Sequence, residues 1–282
     1  MSEQTDVSKR ALLGGMLGVA GAAAMIGGAG GAKAQLLESG IDPKSVLAKV
    51  KKGGQLQVGY ALLPLWFFKD PKSGELKGVY KDLVDILARD LEMTVQWKEV
   101  SFANSTIDLR SGEFDLFGSS ASFTVPRATV VNYVGPLWSK GSLPVIRKAD
   151  AEKYKTAADL NSPDVVIAVN AGSADEQRMP AIFPKAKIIG IAGQYAMAAE
   201  PVRAGRATAC IVGDTEAMAL VRRNSDWASI VEPGKSIDKR PNSWMIRYGD
   251  VPWKNFLDSW CYYITTNGEL QRIYDRYATD IL

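Results

Sequence analysis

Two kinds of apolar spacing alternate along this chain, and that alternation constrains its fold more than any other feature. Leu56, Val58 and Tyr60 recur at every second position after Gly53-Gly54, the period of a half-buried strand. Val79, Leu83, Leu87 and Leu91 then recur at every fourth, the period of an amphipathic helix. Val95 to Val100 and Phe114 to Gly118 read as further strands, and a short helix from Ser105 to Arg110 between them stops at Gly112. A second series begins with Val165 to Val169, an unbroken apolar run that suits a strand covered on both faces. Lys187 to Ile191 and Ala207 to Val212 continue it as strands. Gln194 to Ala204 and Thr215 to Arg223 read as helices, the first shortened or kinked at Pro201. Near the end, Trp253, Phe256, Leu257, Trp260 and Ile264 mark one helix, stopped at Asn267-Gly268, and Leu270, Ile273, Tyr274 and Tyr277 mark another. Strands alternating with helices predict an α/β fold. Extended, helix-free stretches at residues 141–147 and 239–246 predict two crossovers between the two series. The expected organisation is therefore one lobe of residues 35–142 plus 243–282 and a second, inserted lobe of residues 143–242. Two crossovers make a hinge, and small ligands favour the crevice between lobes so joined.

Residues 1–34 stand apart from this pattern. A polar start leads to Ser8-Lys9-Arg10, small and apolar residues follow from Ala11 to Ala32, and Ala32-Lys33-Ala34 forms a small-residue cleavage pattern. That layout is a secretory signal peptide, with cleavage expected near Ala34. Lys9 stands where a twin-arginine signal has its first arginine, so the export route stays open.

Composition then removes whole classes of function. The 282 residues include no histidine, which excludes histidine-based catalysis and most catalytic zinc sites. Neither a catalytic set nor a metal or cofactor site emerges from the remaining pattern. A formal net charge of +3 without a basic run gives no nucleic-acid or lipid surface. Cys210 and Cys261 lie in apolar segments and read as buried thiols, although an exported protein could also join them.

Three polar clusters can carry recognition. In the first, Ser119, Ser120 and Ser122 follow the Phe114–Gly118 strand and are expected in a loop; Thr124 can cap a helix with Pro126 in its first turn. Arg127 then lies near the positive end of that helix, where a cation is disfavoured unless something negative sits beside it. A ligand carboxylate fits, gripped by the guanidinium fork and the loop donors; a surface ion pair would serve equally well. In the second, Asn170-Ala171-Gly172 opens a helix whose Ser173 and Glu176 match a capping box, while the amides of Ser173 and Ala174 can face an anion. In the third, Asp214 follows a strand and precedes a helix. It suits an N-cap, or a counter-charge to a ligand ammonium at a strand's carboxyl end. Trp66, Phe67, Phe68 and Phe102 sit in loops where they can wall an apolar pocket.

Taken in order, Gly54-Gln-Leu-Gln-Val-Gly59, Ser73-Gly-Glu-Leu-Lys-Gly78, Ser111-Gly-Glu-Phe-Asp115, Thr124-Val-Pro-Arg127 and Gly205-Arg-Ala-Thr-Ala-Cys-Ile-Val-Gly-Asp214 resemble the solute-binding proteins of family 3. The resemblance spans nearly all of the chain after the signal segment. It implies a two-lobed periplasmic-binding-protein type II fold with a double-crossover hinge. It also implies a monomeric periplasmic receptor that captures an amino acid or similar carboxylate and delivers it to an ABC permease, without catalysis. By the same resemblance Arg127 binds the ligand carboxylate, Ser120, Ser122, Ser173 and Ala174 line the ligand, Asp214 holds its ammonium, and Phe102 flanks its side chain; Trp66 joins them as a ligand-binding residue from the reading of the loop aromatics. Two departures stand out: Tyr60-Ala61-Leu62 lacks the second acid found after the first strand in some members, and Leu63 replaces a common stacking aromatic. Val169-Asn-Ala-Gly-Ser-Ala-Asp-Glu176 is also similar to the glutamate-bearing segment of cyclohexadienyl dehydratases, which leaves a prephenate or arogenate dehydratase as the alternative.

Overall fold

Strand pairing decides this architecture, and two long strands dominate it. The computed structural model describes residues 41–281. After a short helix α1 (Val46–Lys51), strand β1 (Gln55–Tyr60) pairs in parallel with β4 (Thr94–Glu99) on one side and β5 (Leu116–Ser122) on the other. A two-residue ribbon, β2 (Phe68–Lys69) with β3 (Leu76–Lys77), precedes helix α2 (Val79–Asp90). Helix α2 buries Val79, Tyr80, Leu83, Val84, Leu87 and Ala88, as the fourfold spacing predicts. Helix α3 (Phe102–Ser111) ends at Gly112, which adopts φ 83°, a left-handed conformation that costs glycine little. The four-residue helix α4 (Val125–Ala128) is capped by Thr124, whose side chain accepts from the Arg127 N–H.

The chain then runs through β6 (Val131–Arg147), 17 residues long, and later returns through β11 (Ile237–Arg247), antiparallel to it. Between them lie β7 (Val166–Asn170), helix α5 (Ala174–Ile182), β8 (Lys187–Ile191), a 3-10 turn at Tyr195–Ala199 running into α6 (Glu200–Arg203), β9 (Ala209–Gly213), α7 (Asp214–Arg223) and β10 (Ala228–Ile230). Helices α8 (Val251–Thr266) and α9 (Glu269–Ile281) finish the fold. Apart from the β2–β3 ribbon, the strands among the described residues join one sheet in the order β4-β1-β5-β11-β6-β9-β7-β8, with β10 on β6. No described helix is long and apolar enough to cross a membrane.

Core packing falls into four clusters. Two clusters draw their buried members from residues 46–137 and 244–273, with Trp66, Tyr80, Trp244 and Trp253 fully enclosed. Two others draw theirs from residues 143–231, around β7 and β9. Both long strands cross from one set to the other, β6 contributing Val134 and Leu137 to the first and Leu143, Val145 and Ile146 to the second.

Three readings of the sequence change. Ser119 to Ser122 are strand, not loop, because β5 is held on both sides and its end pairs antiparallel with β11 at Ala121–Ser243 and Ser122–Asn242. The two extended stretches are longer than 141–147 and 239–246: β6 reaches back to Val131 and β11 begins at Ile237, with Gly135 and Pro136 at an irregularity in their pairing. The segment before Ala204 is not one helix: Pro201 stands in the first turn of α6, and a 3-10 turn precedes it. The signal segment lies outside the described residues.

Cys210 on β9 and Cys261 on α8 are both free and buried. Burial pushes the Cys210 thiol up to about 12. It pushes Cys261 further, helped by the nearby Asp258 carboxylate. Thiolate is the reactive form. A thiol reagent in mildly alkaline buffer should therefore leave the folded protein untouched and label both cysteines once guanidinium unfolds it. Rapid labelling of the folded chain would contradict this placement.

Candidate ligand-binding site

Opposed positions in the β6–β11 ladder put two cations side by side. Arg240 pairs directly with Lys140, and residues directly opposite in such a ladder project from the same face. Just before Arg240 the register of β11 shifts, and Asp238 there takes φ 50°; such irregularities re-aim a side chain. Like charges placed opposite each other destabilise a sheet unless anions intervene. The anions come from the first turns of α5 and α7 and from Asp238 on β11 itself, which pairs with Arg240. Asp175 accepts from Arg240 at 2.6 Å and from the Ser142 hydroxyl at 2.7 Å on the same oxygen. Glu216 pairs with Lys140, the two side chains only 1% and 6% exposed. A closed circuit continues from there: the Trp66 indole N–H donates to Thr215 Oγ1 at 2.9 Å, and that hydroxyl donates to Glu216 at 3.1 Å. Lys140 Nζ lies 5.0 Å from the centre of the Trp66 ring, completing the circuit through a cation–π contact.

Lys140, Ser142, Asp175, Glu216 and Arg240 line one side of a small cavity that is partly open to solvent. Its other walls come from Ser120 and Ser122 on β5, Arg127 on α4, Phe102, Leu63, Tyr195, and Ser173 and Ala174 at the start of α5. Arg127 is 6% exposed, yet among the described residues its guanidinium meets only neutral acceptors. Nη1 donates to the Ser122 carbonyl at 3.1 Å and the Tyr133 hydroxyl at 3.3 Å, and Nη2 to the Gly172 carbonyl at 2.7 Å. Gly172 holds φ 74°, and an added Cβ would lie 2.4 Å from Ala103 Cα, so only glycine lets this turn approach α3 so closely. Ser120 donates to Asn242 Oδ1 at 2.9 Å, and Ser122 accepts from Asn242 Nδ2 at 3.2 Å. Burial, reinforced by Glu216 and then Asp175, pushes the Tyr195 phenol well above its ordinary range, so it stays neutral and accepts the Gly213 N–H at 2.6 Å.

Six of the eight residues singled out from the sequence thus share the cavity: Arg127, Ser120, Ser122, Phe102, Ser173 and Ala174. The other two lie behind it. Trp66 is fully buried beneath Lys140. Asp214 opens α7 without capping it, accepting instead from the Gly141 amide at 3.1 Å and from the next residue's amide at 2.8 Å. The capping box at α5 closes only by half. Ser173 accepts the Glu176 amide at 3.2 Å, but the Glu176 carboxylate takes the Gly172 amide at 2.7 Å rather than that of Ser173. Lys140, Asp175, Glu216, Arg240 and Tyr195 escaped sequence reasoning. The available clue was a basic residue at the edge of each crossover, since antiparallel pairing of the crossovers would oppose Lys140 and Arg240.

The model of the bacterial extracellular solute-binding proteins, family 3, matches residues 56–280. This chain belongs to that family. Among relatives, the glutamine-binding protein GlnH of a Bacillus subtilis ABC transporter is 22% identical over 241 residues, which cover 84% of this chain and 86% of GlnH. The cyclohexadienyl dehydratase of Pseudomonas aeruginosa is 21% identical over 229 residues, covering 81% of this chain and 84% of the enzyme. The crystal structure of AncCDT-1, an ancestral amino acid-binding protein described as a precursor of cyclohexadienyl dehydratase, superposes with a TM-score of 0.74 at 29% identity, covering 83% of this chain and 99% of that one. ArgBP of T. maritima, solved as a mutant, has the same fold at a TM-score of 0.73 and 22% identity, over 82% of this chain and 98% of its own. The fold of this family-3 chain is therefore that of the type II periplasmic binding proteins.

In this family-3 cleft the buried pair Lys140–Glu216 makes a sharp prediction. Glu216→Gln alone leaves the ammonium without its anion and should cost about 3–5 kcal/mol in urea denaturation, while Lys140→Met with Glu216→Gln should recover most of that. A loss below about 1 kcal/mol for the single variant, the range of exposed pairs, would show that the pair is solvated.

Proposed function

We propose that this protein is an exported receptor that captures a small carboxylate, an amino acid or close relative, between two lobes and delivers it to the permease of an ABC importer. The observation that carries the reading is Arg127: a buried guanidinium at a cavity wall, bonded only to neutral oxygens. Taking a cation out of water costs several kcal/mol, and carbonyl partners offset only part of that. A carboxylate binding the guanidinium fork offsets much more and brings charge-assisted hydrogen bonds. Hydroxyls of Ser122 and Ser173 and the amides at the start of α5 flank the same space. For an amino acid, the ammonium has Asp175 in the wall, whose Oδ2 is free of partners among the described residues. The named function of GlnH, glutamine binding, supports this reading, whereas the cyclohexadienyl dehydratase supports the enzyme.

The lobes of the proposal are residues 35–142 with 243–282, and residues 143–242, and the division of the core clusters at β6 and β11 supports them. Closure then brings the Gly172 turn against α3 and Arg127, and opening separates them. A dehydratase reading finds less support. It needs Glu176 as an acid facing substrate, whereas that carboxylate is held on the Gly172 amide and does not line the cavity. The receptor acts as a monomer in the periplasm, its signal peptide removed near Ala34.

A thermal-shift screen of the processed protein against the common amino acids, simple carboxylates, prephenate and arogenate tests this. A true ligand at roughly a hundred times its Kd stabilises by about 2.7 kcal/mol. Arg127→Ala should abolish that shift. Consumption of prephenate or arogenate, lost in Glu176→Gln, would overturn the reading in favour of the enzyme.

A further inference from the structure

We infer that the cleft selects a ligand with a second anionic group, an acidic amino acid or short dicarboxylate, and rejects basic amino acids. This rests on the reading of Arg127 as the anchor for the first carboxylate. The new element is the pair of cations that the β6–β11 register forces together. Lys140 and Arg240 are direct ladder partners, both line the cavity, and both are at least nine-tenths buried.

The wall holds three cations, Arg127, Lys140 and Arg240, and two carboxylates, Asp175 and Glu216; a third carboxylate, Asp238, pairs with Arg240 and Arg178 from outside the wall. Each of those carboxylates is already matched by a strand cation. Asp175 takes Arg240 and Ser142 on one oxygen, and Glu216 takes Lys140 on one oxygen and Thr215 on the other. Donors remain in surplus. Lys140 has three N–H groups and one carboxylate partner, and Arg240, although held by Asp175 and Asp238, keeps its Nε–H buried without a partner among the described residues. Two further acids, Asp214 and Glu176, stand in the first turns of α7 and α5 but outside the wall, turned to the backbone amides of Gly141, Thr215 and Gly172. There they answer the positive helix ends. The groups facing the cavity thus ask a ligand for acceptors at two places, Arg127 and the strand pair. An ammonium or guanidinium on the ligand's side chain would add a fourth cation beside the buried strand pair, where like charges repel. Between the two acceptors that fit, a carboxylate gains from both strand cations, while an amide gains hydrogen bonds alone.

Calorimetric titration of the processed protein with L-glutamate, L-aspartate, succinate, L-glutamine, L-asparagine, L-arginine and L-lysine decides the matter. Glutamate or aspartate should bind at least about tenfold tighter than its own amide, with arginine and lysine weakest. Glutamine equal to glutamate, or arginine or lysine tightest, overturns the inference. If Arg127→Ala still abolishes that binding, the anchor stands and only the second anionic group is lost. Failure of every carboxylate to bind overturns the anchor and the inference together. Lys140→Met combined with Glu216→Gln removes the strand cation with its partner, so no charge is left buried alone; its unfolding midpoint verifies the fold. In that variant the acid-to-amide ratio should fall by about tenfold, and an unchanged ratio counts against the strand cations as its cause.

Discussion

Antiparallel pairing of β6 with β11 is the constraint from which the rest of the molecule follows. It carries the chain out of one apolar cluster into another and back, and it joins the parallel strands of both halves into one sheet. The same register sets Lys140 opposite Arg240. That placement is unfavourable by itself, and it is tolerated because α5 and α7 begin beside it with acidic first turns. Strand register, helix start and site charge are therefore one problem with one solution.

Within that frame the site is built of groups satisfied to different degrees. Glu216 is fully engaged, by Lys140 and by the Trp66–Thr215 relay that reaches it from the other half of the chain. Arg127 is engaged only by neutral oxygens. A circuit that is complete without ligand stiffens the floor, and a buried cation lacking an anion waits for one. Pre-organised floors of this kind lower the ordering cost of binding, because the side chains that meet the ligand are already held. The cleft needs no rearrangement of its floor to accept a carboxylate at Arg127.

Much of this was legible in the sequence where local chemistry dominates. The period of Val79, Leu83 and Leu87 located α2, Thr124 and Pro126 located the short helix that carries Arg127, and the Gly172 turn announced the start of α5. What stayed hidden depends on long-range pairing. Ser119 to Ser122 look like loop until β11 lies beside them at Ala121–Ser243 and Ser122–Asn242. Lys140 and Arg240 are a hundred residues apart and become a site only through their register. Asp214 and Glu216 show the limit from the other side. Two acids in one helical turn are indistinguishable by composition, and the position of the turn relative to β6 sends Glu216 to the cavity and Asp214 to the Gly141 amide.

The account turns on Arg127 holding a carboxylate, and the most direct measurement compares the best-binding acid with its own α-amide on the unaltered protein. Loss of a hydrogen-bonded charge costs about 1.5–3 kcal/mol, so the amide should bind at least about tenfold more weakly, and Arg127→Ala should erase most of that difference. An amide that binds as tightly as the acid would show that Arg127 is a structural cation, content with its carbonyl partners, and the central claim would fail.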